Sequence, residues 1–216
     1  MTEFLIYGNP ASPFLRSVCV ALEEKGKPYR IERFGSDEFR GERHLKLHPF
    51  GRIPVIDHGD YRLYETQAIL RYIDALYPEP ALQPKDPKAI GRMSQIMGIN
   101  DWYLFPQVAR IIVFNRIVGP ALLGIAPDEE AIARAVPDAE LCFGELNRLL
   151  WDQPFLAGHE LTLADILLAP QIYFLAATPE GAKVMRNTAL LAWLGRMNAR
   201  PSMQATLPPE PIRLAA

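Results

Sequence analysis

Very little in this chain supplies reactive chemistry of its own. It has only two cysteines in 216 residues. Cys19 and Cys142 lie far apart and outside any C-x-x-C motif, so the sequence supports neither disulfide exchange by protein thiols nor a thiolate zinc site. The four histidines, His44, His48, His58 and His159, are read as forming no metal site. No run approaches the ~18 consecutive apolar residues that a membrane helix needs. The polar Met1-Thr2-Glu3 start is no basic-then-apolar leader, so a cytoplasmic protein without a membrane partner is expected. A net charge of −2, with 23 basic and 25 acidic residues interspersed, leaves no basic stripe for nucleic acid. Internal repeats and low-complexity tracts are missing as well. Any thiol chemistry must therefore arrive with a ligand.

What is present is a patterned chain of a length that allows two domains. Phe4-Leu5-Ile6-Tyr7 is a short apolar run closed by Gly8-Asn9-Pro10, which reads as a buried strand ending in a turn. Ser12-Pro13 supplies a favoured N-cap and a favoured first helical residue, and predicts a helix running to Gly26. Tyr29 to Arg33 reads as a second strand, parallel to the first across a right-handed crossover. After an irregular stretch, Val55 to His58, the Gly59-Asp60 turn and Tyr61 to Tyr64 form a hairpin signal. A helix from about Glu65 to Leu76 then completes a β-α-β-α-β-β-α order, that of a thioredoxin-like fold.

Pro78, Pro80, Pro84 and Pro87 crowd a segment that helices and central strands exclude, and mark a linker. Beyond it, apolar positions recur at helical period around 88–118, 128–151, 162–177 and 189–199. The expected organisation is an α/β thioredoxin-like N-terminal domain over 1–78, a linker over 79–87 and an all-α C-terminal domain over 88–216. Thr162 and Asp165 have the spacing of a capping box, a structural device. The proline-rich tail from Pro208 is expected to be extended.

Three segments bear on function: Ser12, Arg52-Ile53-Pro54 and Glu65-Thr66. A serine where a strand yields to a helix presents a hydroxyl and free amides to an anion, though the same serine can be a cap alone. A Glu and a Thr opening a helix can hold a carboxylate through amides and hydroxyl and an ammonium through the acid, or be ordinary capping residues. Arg52 alone reads as a solvated surface charge. Trp102, Tyr103, Phe105, Ile112, Phe114 and Val118 put aromatic and apolar residues on one predicted helix, with Phe114 and Val118 at i, i+4.

These motifs together resemble the cytosolic glutathione S-transferases of the Ser-type, phi and theta-like groups. The resemblance rests on Asn9-Pro10-Ala11-Ser12, on Ala21 to Gly26, on His48-Pro49-Phe50-Gly51-Arg52-Ile53-Pro54 and on Tyr64 to Ile69. Phe155 to Gly158, Leu161 to Ile166 and Arg200-Pro201-Ser202 extend it through the second domain. It implies glutathione as co-substrate, no metal, and Ser12 as the residue that stabilises the thiolate. It implies a cis Ile53–Pro54 bond that frees the Ile53 backbone for the cysteinyl part of glutathione, with Glu65 and Thr66 holding the γ-glutamyl end. Arg40 falls near a position where relatives place a donor for the glycine carboxylate, Arg52 takes a slot where phi relatives often have Gln, and both are assigned to glutathione binding. Phe14, Phe114 and Val118 match the site of an apolar electrophile. Phe50 matches an aromatic key that implies a homodimer. The family's common Arg five residues after the Ser is replaced here by Ser17, with Arg16 before it. Tyr7 is the rival activator, and reads by alternation as a packed strand residue. Peroxide reduction, dehalogenation or non-catalytic ligand carriage on the same fold stay open alternatives.

Overall fold

The structure is a computed structural model and describes residues 3–34 and 38–209. The chain divides into two compact units, one running to Leu82 and joined by Pro201–Pro209, the other spanning Gln83–Arg200.

In the first unit β1 (Phe4–Tyr7), α1 (Pro13–Glu24), β2 (Tyr29–Glu32), α2 (Glu42–Leu47), β3 (Val55–His58), β4 (Tyr61–Tyr64) and α3 (Thr66–Leu76) follow in order. The sheet order is β2-β1-β3-β4, with β1 parallel to β2 and antiparallel to β3. This is the expected thioredoxin-like arrangement. Because side chains alternate along a strand, the sheet has two apolar faces. Phe4 and Ile6 are buried on one, where the Phe4 ring meets Tyr72 and Tyr77 edge-on at 6.4 Å. Tyr7 and Val55 form a cluster with Leu47 of α2. That second face explains α2, a six-residue helix inside the stretch read from sequence as irregular. Its pattern is too short to carry a period, yet it supplies the Leu47 that buries the far side of the sheet.

A buried ion pair fastens α1 to α3 and to the segment after it. Lys25 Nζ lies 2.6 Å from Asp74 Oδ1 and also donates to the Pro80 carbonyl, while the same Asp74 oxygen accepts from Leu82 N at 2.8 Å. The Glu79–Pro80 bond is cis.

In the second unit the predicted helix near 88–118 is longer and less regular than its apolar period implies. α4 (Pro87–Ile99) continues into a π-helical stretch (Asn100–Ala109), a short α5 (Arg110–Val113) and a second π-helical stretch (Phe114–Leu123), closed by left-handed Gly124. Each π segment contains a proline, Pro106 or Pro120. A proline inside a helix has no N–H to give and collides with the carbonyl one turn back, which favours wide turns here, although the helices around Pro137 and Pro170 keep the α ladder. α6 (Glu129–Leu150), α7 (Leu163–Ala176), α8 (Pro179–Met185) and α9 (Ala189–Asn198) complete the unit. The capping box at Thr162 is present. Asp165, fully buried, accepts from Leu156 N, Thr162 N, Thr162 Oγ1 and Trp193 Nε1, all within 2.9 Å.

The sequence boundary assigned everything after 88 to the helical domain. Instead α10 (Pro201–Ala205) belongs with the first unit. Buried Arg16 of α1 donates to the Met203 carbonyl at 3.0 Å, and Ser202 Oγ to Glu24 at 2.5 Å. Of the proline-rich tail, residues from 210 lie outside the described residues.

Candidate functional site

The sheet register itself assembles a site. Tyr7, at the end of β1, pairs with Val55, at the start of β3, and Val55 pairs with Tyr64, at the end of β4. The segments beyond those ends therefore meet at one edge of the sheet: Gly8 to Ser12, Ile53-Pro54 and Glu65-Thr66. Gly8 shows how closely. A Cβ there would stand 2.7 Å from Leu15 Cδ1 and 3.2 Å from Ile53 Cβ, so any larger residue would make the Leu15 side chain and the Ile53 turn give way. Composition alone did not point to Gly8, because its requirement comes from two segments distant in sequence.

Ser12 is the N-cap of α1, held by its own N–H donating to the Asn9 carbonyl at 2.8 Å. Its Oγ accepts from Leu15 N at 3.4 Å, a long cap bond. Among the described residues its O–H donates to no partner. The side chain is half-buried, and its O–H is able to donate.

The Ile53–Pro54 bond is cis, as the resemblance implied. Among the described residues neither the N–H nor the C=O of Ile53 has a hydrogen-bond partner. Glu65 has φ +70°, a conformation that a non-glycine residue holds only under constraint, and no sequence signal marked it. Its carboxylate is exposed, and the Glu65 side chain does not cap the start of α3. Thr66 is nearly buried beside it. His48, buried against Tyr64 at 4.4 Å between ring centroids, stands 3.8 Å from Glu65 Oε1. Burial holds the His48 imidazole below its ordinary pKa.

Arg40 and Arg52 are both exposed, and neither has a carboxylate partner among the described residues. The 35–37 part of the loop expected to approach glutathione lies outside the described residues. His44 and His48 do stand four residues apart, the spacing of an H-x-x-x-H metal pair. Three of their four ring nitrogens are otherwise engaged: His44 Nδ1 accepts from Arg40 N, His44 Nε2 meets the Arg52 carbonyl, and His48 Nδ1 accepts from Phe50 N.

Tyr7 is buried and donates its hydroxyl to Asp57 Oδ2 at 3.0 Å, while Arg62 grips the same carboxylate through two bonds of 2.7 Å. Burial, then the Asp57 hydrogen bond, raises the Tyr7 pKa. A phenol that gives its proton to an anion has none for a thiolate. Cys19 and Cys142 are buried thiols pushed up by burial to about 12 and about 11, and so are poor nucleophiles.

Phe14 follows Ser12 on α1 and is half-buried. Phe114 and Val118 begin the second π segment, where the Phe114 ring lies 3.5 Å from the place of a Gly119 Cβ. The wide turn thus sets Phe114 over the residue five ahead, and the expected i, i+4 pairing with Val118 does not carry over as an α-helical face. Within the second unit a cavity of about 590 Å³ is lined by Pro106, Arg110, Ile111, Phe114 and Ala135 among others.

The sequence matches the glutathione S-transferase N-terminal domain family over residues 6–81 and the glutathione S-transferase C-terminal domain family over 129–196. It is 31% identical to glutathione S-transferase 3 of Zea mays, with 98% of each chain covered. A solved glutathione S-transferase III in apo form superposes with a TM-score of 0.84 at 31% identity, over 97% of this chain and 100% of the other. A glutathione S-transferase-I bound with lactoylglutathione superposes at 0.83 and 25% identity, over 94% of this chain and 98% of its own. With the sheet edge assembled around Ser12, the cis Ile53–Pro54 turn and the start of α3, and with that identity over nearly the whole length, the chain belongs to the glutathione S-transferase family.

Proposed function

We propose that this chain is a glutathione transferase that joins the sulfur of glutathione to an electrophilic, largely apolar small molecule. The observation that carries the reading is the meeting, at one end of the sheet, of a serine hydroxyl with an unspent proton, an Ile53 backbone unpaired among the described residues and a helix start that the Glu65 side chain leaves uncapped. The Ile53 N–H and C=O take the cysteinyl backbone as an added strand takes its neighbour. The α3 amides and Thr66 hold the γ-glutamyl carboxylate, and Glu65 its ammonium. Arg40 and Arg52 serve the glycine carboxylate.

Ser12 then donates to the sulfur. A free thiol of pKa about 8.5 is only ~3% ionised at pH 7, and lowering it by about two units requires near 2.7 kcal/mol of preference for the thiolate. A hydrogen bond to a charged acceptor contributes about 1.5–3 kcal/mol, and the N-terminus of α1 a further ~0.3–1. The two together are sufficient. The thiol proton leaves to solvent, the thiolate attacks the electrophilic carbon, a C–S bond forms, and the leaving group departs with its electron pair. The protein contributes ionisation and proximity, and glutathione is the nucleophile.

Phe114, which lines the cavity within the second unit, is assigned to the electrophile. Phe50, 66% exposed, is a large apolar side chain in need of cover, which supports a homodimer. No described helix is long and apolar enough to cross a membrane, and a cytoplasmic location fits. The test is calorimetric titration with glutathione, followed by turnover against a panel of aryl halides, peroxides and haloalkanes. Saturable binding with aryl transfer is expected. Binding without turnover of any panel member makes the protein a carrier, and no binding at all refutes the reading.

A further inference from the structure

His44 is fully buried on α2 and touches no ligand position directly, yet it joins two of the segments that the site depends on. Its Nδ1 accepts from the Arg40 backbone N–H at 3.0 Å, and its Nε2 lies 2.9 Å from the Arg52 carbonyl oxygen. The amide can only donate, so Nδ1 is the unprotonated nitrogen and the proton on Nε2 is donated to Arg52. The ring is held in place by stacking on Phe34, with centroids 4.3 Å apart. Arg40 has φ +64°, and its side chain crosses Gly51, where a Cβ would stand 3.2 Å from Arg40 Nε. Both guanidiniums are exposed and lack a carboxylate partner among the described residues.

The Arg52 carbonyl shares one rigid peptide plane with the Ile53 N–H, and in a trans peptide the two point in opposite directions. A bond that fixes the carbonyl toward His44 therefore aims the Ile53 N–H away from it. We propose that His44 is a positioning residue for the thiol peptide: it sets the Arg52–Ile53 peptide plane so that the Ile53 N–H faces the cysteinyl backbone, and it holds Arg40 beside it. This rests on the reading that the first unit binds glutathione. Ionisation of the sulfur belongs to Ser12 and the head of α1, so His44 governs how tightly the peptide is held and leaves the thiol pKa alone.

The test uses the full-length protein with glutathione and an electrophile it turns over. His44→Phe keeps a ring to stack on Phe34 and removes both hydrogen bonds. His44→Gln places an amide donor where Nε2 was and restores the Arg52 bond alone. For His44→Phe, KM and Kd for glutathione should rise about five- to tenfold, the size of one lost hydrogen bond plus a loosened ionic contact, with kcat and the pH profile of kcat unchanged. His44→Gln should recover most of the affinity. The proposal is overturned if His44→Phe binds glutathione normally, if its kcat falls in proportion or its pH profile shifts, or if a folded His44→Gln is as weak as His44→Phe. If His44→Phe does not fold, normal glutathione affinity in His44→Asn, which lacks the Arg52 bond, overturns it equally. Failure of the wild-type protein to bind glutathione refutes the underlying reading instead.

Discussion

Replacing Ser12 by Ala separates two things that the side chain does. The Oγ caps α1 by accepting from Leu15 N, and its O–H is the proposed donor to the glutathione sulfur. At 3.4 Å the cap bond is long, and Pro13 still sets the first helical turn, so the stability loss belongs at the low end for caps, about 0.5 kcal/mol. The catalytic consequence is far larger. Removing a donor that contributes about 1.5–3 kcal/mol to the thiolate raises the bound thiol by roughly one to two pKa units, while the contribution of the α1 N-terminus persists. If the wild-type thiol titrates near ~6.5 and the variant near ~8, the ionised fraction at pH 6.5 falls from about half to about 3%, a loss of roughly fifteenfold in rate. At a pH well above ~8 both are ionised and the rates should converge. The assay is the pH profile of kcat/KM, with the ultraviolet absorbance of the bound thiolate followed across the same range. A uniform loss at every pH, with no displacement of the profile, would falsify the role given to Ser12. So would Tyr7→Phe producing the displacement while Ser12→Ala leaves it in place.

Other perturbations test the frame around that hydroxyl. Gly8→Ala puts a Cβ 2.7 Å from Leu15 and 3.2 Å from Ile53, and should weaken glutathione binding by pushing α1 and the turn apart, read as a raised Kd with a smaller change in Tm. Lys25→Met leaves Asp74 buried without its cation and should cost about 3–5 kcal/mol in urea unfolding, whereas Lys25→Met with Asp74→Leu should recover much of that. The depressed pKa of buried His48 makes the folded state resist a proton that the unfolded chain accepts. Its contribution is present above the ordinary value of 6.5 and lost as pH falls through the lowered folded value, so unfolding free energy should drop across that window more in the wild type than in His48→Gln.

Apart from α2, the elements of the first unit were legible because each has a strong local signature: an apolar run closed by Gly-Asn-Pro, a Ser-Pro helix start, a Gly-Asp hairpin. So was the capping box, since Thr162 and Asp165 meet within one helical turn. Other features left no such trace. α2 is too short to show a period, and it forms because Tyr7 and Val55 need cover. The π segments were read as plain α-helix because apolar spacing does not reveal what Pro106 and Pro120 do to the ladder. The α10 segment was grouped by sequence with the helical domain, since its anchors in the first unit, Arg16 and Glu24, lie nearly the whole chain away.

For this protein the linear order of residues determined which groups are on hand: a helix-capping serine, an Ile-Pro turn, an acid and a threonine at a helix head, and no reactive thiol. Only the folded chain decided which of them act together. The β1–β3–β4 register brings their flanking segments to one edge, Asp57 takes up the Tyr7 proton, and Ser12 is left with its own unspent. Hydrogen-bond donors are spent or spared by neighbours distant in sequence, and a pattern confined to neighbours in sequence carries no record of that.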